Sequence, residues 1–331
     1  MSAYGPLPDP QHLFDHDEAA QAFADILDAR ASEEAIEAFL TALALRGETM
    51  VEIAAAAEAM RARLIPIDAP KGAIDVCGTG GDGHHTLNVS TAVSIVVAAC
   101  DVPVAKHGNR AASSKSGAAD TLEALGLNME RAGANAEATL KDLGICFLFA
   151  ANHHPAMKRI QPIRQRIGKR TIFNLMGPLA NPARVTRQLI GIARPAYVPV
   201  YAEALHYLGT EHSRIISGDE GLDELSLAGG NEVAVVEPDG VRFQRVAAAD
   251  AGLPTYPVEA IRGGDAAHNA AALQKLLMGE HSAYRDAVLF NAAAALLVAG
   301  VVDTMVDGVE EAAEAIDKGL AKALLDCWIA F

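Results

Sequence analysis

The sequence predicts an α/β protein: a small all-helical amino-terminal domain, then a larger α/β domain with a mainly parallel central sheet flanked by helices. Three observations carry that expectation. Residues 1–70 place apolar side chains at helical spacing and show no strand pattern. Residues 66–72, with Pro66, Pro70 and Gly72, read as a hinge. From 73 to 331, short apolar runs alternate with helical stretches, which implies parallel strands joined by crossover helices.

The elements follow in order. A first helix covers 17–27. Ser32 is the expected N-cap of a second, which runs to Leu45 and stops at Gly47. Thr49 with Glu52 fits a capping box opening a third, which ends before Pro66. These amphipathic helices have apolar surface to spare, so a partner surface is expected. Strands are expected at 73–77, 102–105, 145–149, 189–193 and 214–217. Helices are expected at 89–99, 118–125, 136–143, 197–208, 266–277, 284–299 and 309–324. Pro238-Asp239-Gly240 between two apolar runs, 232–236 and 241–245, signals a hairpin, expected at the periphery.

Composition narrows the function. With 331 residues, 51% of them hydrophobic, the chain is long enough for a real core and favours two domains. It carries 42 Asp plus Glu against 27 Lys plus Arg, a net charge of −15. A field of that sign repels nucleic acid and anionic membranes, so neither is an expected partner. An anionic ligand must be caught by local positive features, of which 106–115 and 158–170 are the clearest. Cys77, Cys100, Cys146 and Cys327 have no metal-ligand spacing and read as small buried hydrophobes in a reducing compartment. Residues 1–17 are polar and proline-rich without an apolar signal core, and the apolar run 287–302 reads as a buried helix. The expected location is cytoplasmic.

Two loops carry the chemistry. Gly78-Thr79-Gly80-Gly81-Asp82-Gly83 follows the first strand and leads through His84, His85, Thr86 and Leu87 to a helix start at Asn88-Val89-Ser90-Thr91. Lys106-His107-Gly108-Asn109-Arg110-Ala111-Ala112-Ser113-Ser114-Lys115 follows the second strand. Glycines let backbone N–H groups approach an anion, and helix N-termini add unpaired donors. With Lys106, Arg110 and Lys115 beside them, more than one phosphate can be held. Gly78, Gly80 and Gly83 also satisfy a dinucleotide-binding pattern, but Asp82 lies inside the loop and the next strand ends in Lys106 rather than an acid. No Gly-Lys-Ser/Thr closes the run as in a Walker loop. A small, highly charged phosphate ester is the expected substrate class.

These two loops resemble the signatures of the anthranilate phosphoribosyltransferase family. So do Asn152-His153-His154-Pro155-Ala156-Met157, Phe173-Asn174-Leu175-Met176-Gly177-Pro178-Leu179-Ala180-Asn181-Pro182 and Gly221-Leu222-Asp223-Glu224. The motifs stand in the family's order from about 33 to about 324. The resemblance implies transfer of the phosphoribosyl group from phosphoribosyl pyrophosphate to anthranilate, with release of pyrophosphate, in tryptophan synthesis. It also implies a homodimer joined by the helical domain (1–70), to which a segment at about 167–193 returns, and one or two Mg2+ ions per chain.

Carried over residue by residue, the phosphoribosyl pyrophosphate contacts are Gly78, Thr79, Gly80, Gly81, Asp82, Thr86, Asn88, Val89, Ser90 and Thr91. From the second loop come Lys106, His107, Gly108, Asn109, Arg110, Ala111, Ala112, Ser113, Ser114 and Ala118. Gly78, His107, Asn109 and Arg164 match the anthranilate positions, and Ser90, Asp223 and Glu224 the metal positions. A guanidinium suits a planar carboxylate, and paired acids completed by substrate phosphate oxygens suit magnesium. Charge building on the leaving pyrophosphate calls for positioning and neutralisation, here by Lys106, Asn109 and the metal, and an aromatic amine neutral at pH 7 needs no base. Plain alternatives are an Asn88 helix cap, a solvated acidic turn at Asp223-Glu224 beside Asp219 and Glu220, and an ordinary basic helix around Arg164. Ala118 and Ala151 replace a serine and a proline frequent in the family. Two other functions fit the fold, a pyrimidine nucleoside phosphorylase and a nucleic-acid-binding relative. Asp223-Glu224 with Asn109-Arg110 argues against the first, and the net charge against the second.

Overall fold

The structure is a computed structural model that describes residues 5–111 and 115–331. Its sheet has seven strands: β1 (Ile74–Gly78), β2 (Val104–Gly108), β3 (Ile145–Phe149), β4 (Arg187–Gly191), β5 (His212–Gly218), β6 (Gly230–Glu237) and β7 (Gly240–Ala247). They lie in the order β3-β2-β1-β4-β5-β6-β7. The first five are parallel, and β6 and β7 add antiparallel. The hairpin is therefore continuous with the main sheet and forms its edge.

The amino-terminal caps form as the sequence implies. Ser32 Oγ accepts from Ala35 N, and Thr49 and Glu52 close a reciprocal capping box. The expected helix at 309–324 is instead two, Met305–Asp317 and Leu320–Ala330, broken at Gly319, whose φ of 73° suits only glycine well. Unpredicted helices occur at Met129–Ala134 and Ala150–His153. Cys327 is exposed, not a buried hydrophobe, while Cys100 and Cys146 are buried. No helix among the described residues is long and apolar enough to cross a membrane.

Two large apolar cores sandwich the sheet. One packs helices Val89–Ala98, Ala283–Ala299 and Met305–Asp317 against Ile74, Val76, Val104, Leu189 and Ile216. The other runs without a break from the amino-terminal helices (Phe23, Leu40, Ile53) through Ile163, Phe173 and Tyr201 to Ile190, Ile215 and Val236 on the opposite sheet face. The apolar faces of the first helices are thus covered largely from within the chain, contrary to the expectation of surface to spare. The chain returns to these helices earlier than 167–193. Helix Met157–Ile167 already packs on Glu33–Arg46, whereas Arg187–Gly191 lies mid-sheet because Gln188 to Ile190 are buried on both faces.

Candidate active site

Strand order places the site. The chain goes to one side of β1 for β2 and β3 and to the other for β4 onward, which leaves a crevice at the carboxyl ends of β1 and β4. Gly78 and Gly191 end these strands in register. Both must lack a side chain because Asp223 lies over them. A Cβ on Gly78 would stand 2.3 Å from Asp223 Oδ2, and one on Gly191 1.7 Å from the Asp223 carbonyl oxygen. Sequence reasoning found Gly78 but missed Gly191, since only the β1–β4 pairing marks it.

The first loop wraps the Asp223 carboxylate. Gly80, Gly81 and Gly83 all have positive φ, and Gly80 N donates to Asp223 Oδ2 at 2.7 Å. Thr79 N bonds the Gly191 carbonyl at 2.9 Å. Asp82 accepts from His84 N, and Thr86 bridges to Arg262. At the following helix, Ser90 N donates to Glu224 Oε1 at 3.1 Å. Asn88 is not a side-chain cap. Its Oδ1 accepts from Thr121 and Asn269 while its Nδ2 donates to Ser116 O, so it ties three segments together. Val89 and Thr91 are each 1% exposed.

The second loop rests on a split in the sheet. β1 and β2 share one register pair, Ile74 with Val104. Beyond it, side chains replace the ladder. Asp75 accepts from His107 N at 3.0 Å and from Asn181 Nδ2 at 2.8 Å, and Asn181 Nδ2 also donates to Ala105 O. Lys106 Nζ donates to Val76 O at 2.8 Å and Ser90 Oγ at 3.3 Å. Burial pushes Asp75 up to about 6, and Lys106, Asn181 and the His107 amide oppose the shift. Lys106 is 2% exposed, so it acts from beneath the surface, setting Ser90 and balancing Asp75 and Glu224.

His107 is also buried, at 3% exposure. Its Nδ1 donates to Gly177 O at 2.8 Å, so in a neutral ring Nε2 accepts, and His154 Nε2 lies 3.3 Å away. Burial, then each ring's histidine neighbour, lowers His107 to about 3 and His154 to about 4. A lowered histidine contributes its neutral-state stability above the ordinary value near 6.5, and loses it as pH falls toward the folded value. Imidazole NMR signals of both rings are expected to stay neutral at pH 5. Titration of either near pH 6.5 would contradict the network.

Asn109 is exposed at the end of this strand. Arg110 does not reach toward the crevice. Its guanidinium is held by Asp120 at 2.9 Å and Glu123 at 2.7 Å and lies over Phe149, so local acids have already matched its charge. Ala111 N donates to Asp120, and Ala118 opens the helix Ala118–Ala124 beside Gly108. Ala112, Ser113 and Ser114 lie outside the described residues.

A cleft of about 550 Å³ opens above β1 and β4. Thr79, Gly80 and Gly81 form one wall and Arg164, Lys169 and Arg170 another, with Ala111 and Ala193 between. Arg164 is half-buried and has no ion pair among the described residues, and burial lowers its pKa. Arg170 stacks on Tyr197, 4.2 Å from the ring centroid. Gln161 and Arg194 also line the cleft and carried no sequence signal. Lys106, His107, Asn109, Asp223 and Glu224 lie outside this lining.

Asp223 and Glu224 are half-buried. Burial raises both carboxyls, followed by repulsion from a neighbouring acid, Asp82 for Asp223 and Asp223 for Glu224. They are hard oxygen donors carrying charge that Lys106 alone does not neutralise, which fits Mg2+. No group of three or more His, Cys, Asp or Glu among the described residues has a metal-binding arrangement. The fit is thus to an ion whose shell is completed by ligand oxygens and water.

Residues 70–322 match the family described as "Glycosyl transferase family, a/b domain", and residues 11–64 the "Glycosyl transferase family, helical bundle domain". A protein of Sphingopyxis alaskensis named anthranilate phosphoribosyltransferase is 80% identical over 331 residues, 100% of each chain. The chain belongs to the anthranilate phosphoribosyltransferase family. A relative of that name from Novosphingobium aromaticivorans is 72% identical over 324 residues, 98% of each chain. The crystal structure of the Thermus thermophilus anthranilate phosphoribosyltransferase superposes with a TM-score of 0.91 at 39% identity, covering 96% of both chains. The Saccharomyces cerevisiae enzyme in complex with PRPP and Mg gives 0.88 at 27% identity, covering 98% of this chain and 95% of that one.

Proposed function

We propose that the protein transfers the 5-phosphoribosyl group from phosphoribosyl pyrophosphate to the amino group of anthranilate, releasing pyrophosphate, the second step of tryptophan synthesis from chorismate in the cytoplasm. The observation that carries this is the cleft lined by both Thr79–Gly81 and Arg164, which makes no ion pair among the described residues. A guanidinium suits the anthranilate carboxylate, and a glycine loop suits phosphates. The amine nitrogen attacks ribose C1 as the bond from C1 to the pyrophosphate oxygen breaks. The electron pair leaves with pyrophosphate, and the new secondary amine loses one proton to solvent. No base is needed, and neutral, buried His107 and His154 are not placed to act as one. Lys106 fixes Ser90, and Asn109 is exposed just after the second strand. Magnesium held by Ser90, Asp223, Glu224 and substrate oxygens would neutralise charge on the leaving group. Incubation with both substrates and magnesium should abolish anthranilate fluorescence, and persistence of the signal at micromolar enzyme sinks the reading.

Arg164→Ala should raise the anthranilate KM roughly ten- to hundredfold, about 1.5–3 kcal/mol for a charged hydrogen bond, and the phosphoribosyl pyrophosphate KM far less. Equal effects on both would move Arg164 to the phosphate side.

The division into a helical part and an α/β part from about residue 73 belongs to the same proposal, as does a homodimer joined through the amino-terminal helices. Leu13 and Leu45 remain 69% and 80% exposed there, and isologous pairing would cover them. Sedimentation at micromolar concentration should show twice the chain mass. A single monomeric species removes the dimer and leaves the chemistry standing.

A further inference from the structure

A second cavity, of about 100 Å³, lies at the opposite end of the sheet, where β4 begins. Arg61, Leu179, Asn181, Arg184 and Gln188 are among its walls. Arg61 ends the helix Met50–Arg61, is half-buried, and spends only its Nε, which donates to Leu179 O at 2.6 Å. Neither Arg61 nor Arg184 makes an ion pair among the described residues, although the chain carries 42 acids. Arg184 has a φ of 51° and closes the turn in which its N–H donates to Asn181 O at 3.0 Å. The two guanidiniums share one small cavity and repel each other, Glu58 on the same helix attracts Arg61, and an anion between the guanidiniums adds to that attraction. The cavity has room for one tetrahedral oxyanion.

We propose that this cavity is a second anion site, taking a single oxyanion of the phosphate or sulfate class, separate from the substrate cleft. It touches the back of the active-site floor. In the strip 177–181, Gly177 O holds His107 and Asn181 holds Asp75, while Pro178 O accepts from Gln188 Nε2 and Leu179 O accepts from Arg61. An anion drawing Arg61 and Arg184 together bears on the same five residues that set the second loop.

The test titrates inorganic phosphate and sulfate, with chloride at matched ionic strength, by calorimetry and thermal shift. The full chain is used, with phosphoribosyl pyrophosphate and magnesium in excess to fill the cleft. Arg184→Gln, at an exposed position, should fold normally, keep basal turnover and bind phosphate at least tenfold more weakly, a loss of about 1.4 kcal/mol. Arg61→Gln should do the same. In the wild type, phosphate should also shift the His107 imidazole signals, and in Arg184→Gln it should not. Equal phosphate response in wild type and Arg184→Gln overturns the site, and so does a phosphate effect no larger than that of chloride. Either failure leaves the transferase reading untouched, because that reading rests on the other cavity.

Discussion

Asp223→Asn with Glu224→Gln is expected to abolish magnesium-dependent turnover, at least a thousandfold below wild type, without unfolding the protein. The isosteric amides keep their acceptor oxygens, so Gly80 N and Ser90 N retain their bonds. What disappears is negative charge: the hard donor set for the ion and the repulsion among Asp82, Asp223 and Glu224. In metal-free buffer the variant should therefore melt no lower than wild type, since like charges forced together destabilise the fold. Its melting temperature should also stop responding to magnesium with phosphoribosyl pyrophosphate. Near-normal turnover would place the metal elsewhere. A large fall in metal-free stability would show that the acids serve structure instead.

Gly191→Ala is expected to be nearly as damaging, through geometry alone. The added methyl would lie 1.7 Å from the Asp223 carbonyl oxygen and 2.5 Å from its carbon. Real contacts of this kind need more than 3 Å, so the 221–224 turn must lift away from the strand ends. Overpacking typically costs about 1–3 kcal/mol, which a chain of this size tolerates. The displaced Asp223 loses Gly80 N and its alignment with Ser90 and Glu224. Turnover should fall at least a hundredfold while circular dichroism stays native. Unchanged kinetics in Gly191→Ala would mean that Asp223 need not sit on the strand ends.

The elements of local origin were the legible ones. Ser32, Thr49 and Glu52 announce helix starts because capping bonds span three residues of sequence, and the glycine loop announces itself because left-handed backbone needs glycine over a few consecutive positions. What depended on distant pairing stayed hidden. Gly191 is an ordinary glycine in an apolar run until β4 lies beside β1. The pairing of Arg110 with Asp120 and Glu123, and of His107 with Gly177 and His154, likewise spans positions that no local pattern links. The split between β1 and β2 could not be read at all, because Asp75 and Asn181 stand 106 positions apart and neither stands out alone. Arg164 was placed by family likeness. The cleft now gives it a local reason, a guanidinium with no ion pair among the described residues in a lining it shares with the glycine loop.

The unbroken core beneath the sheet also sets a clock on synthesis. Phe23, Leu40 and Ile53 are made first, yet the partners that seal them, from Ile163 to Val236, emerge much later. At roughly 5–20 residues per second, the ribosome needs on the order of ten to thirty seconds to supply them. During that interval the nascent amino-terminal helices carry their apolar faces in water, and holdase chaperones that bind exposed apolar helices would have their window there.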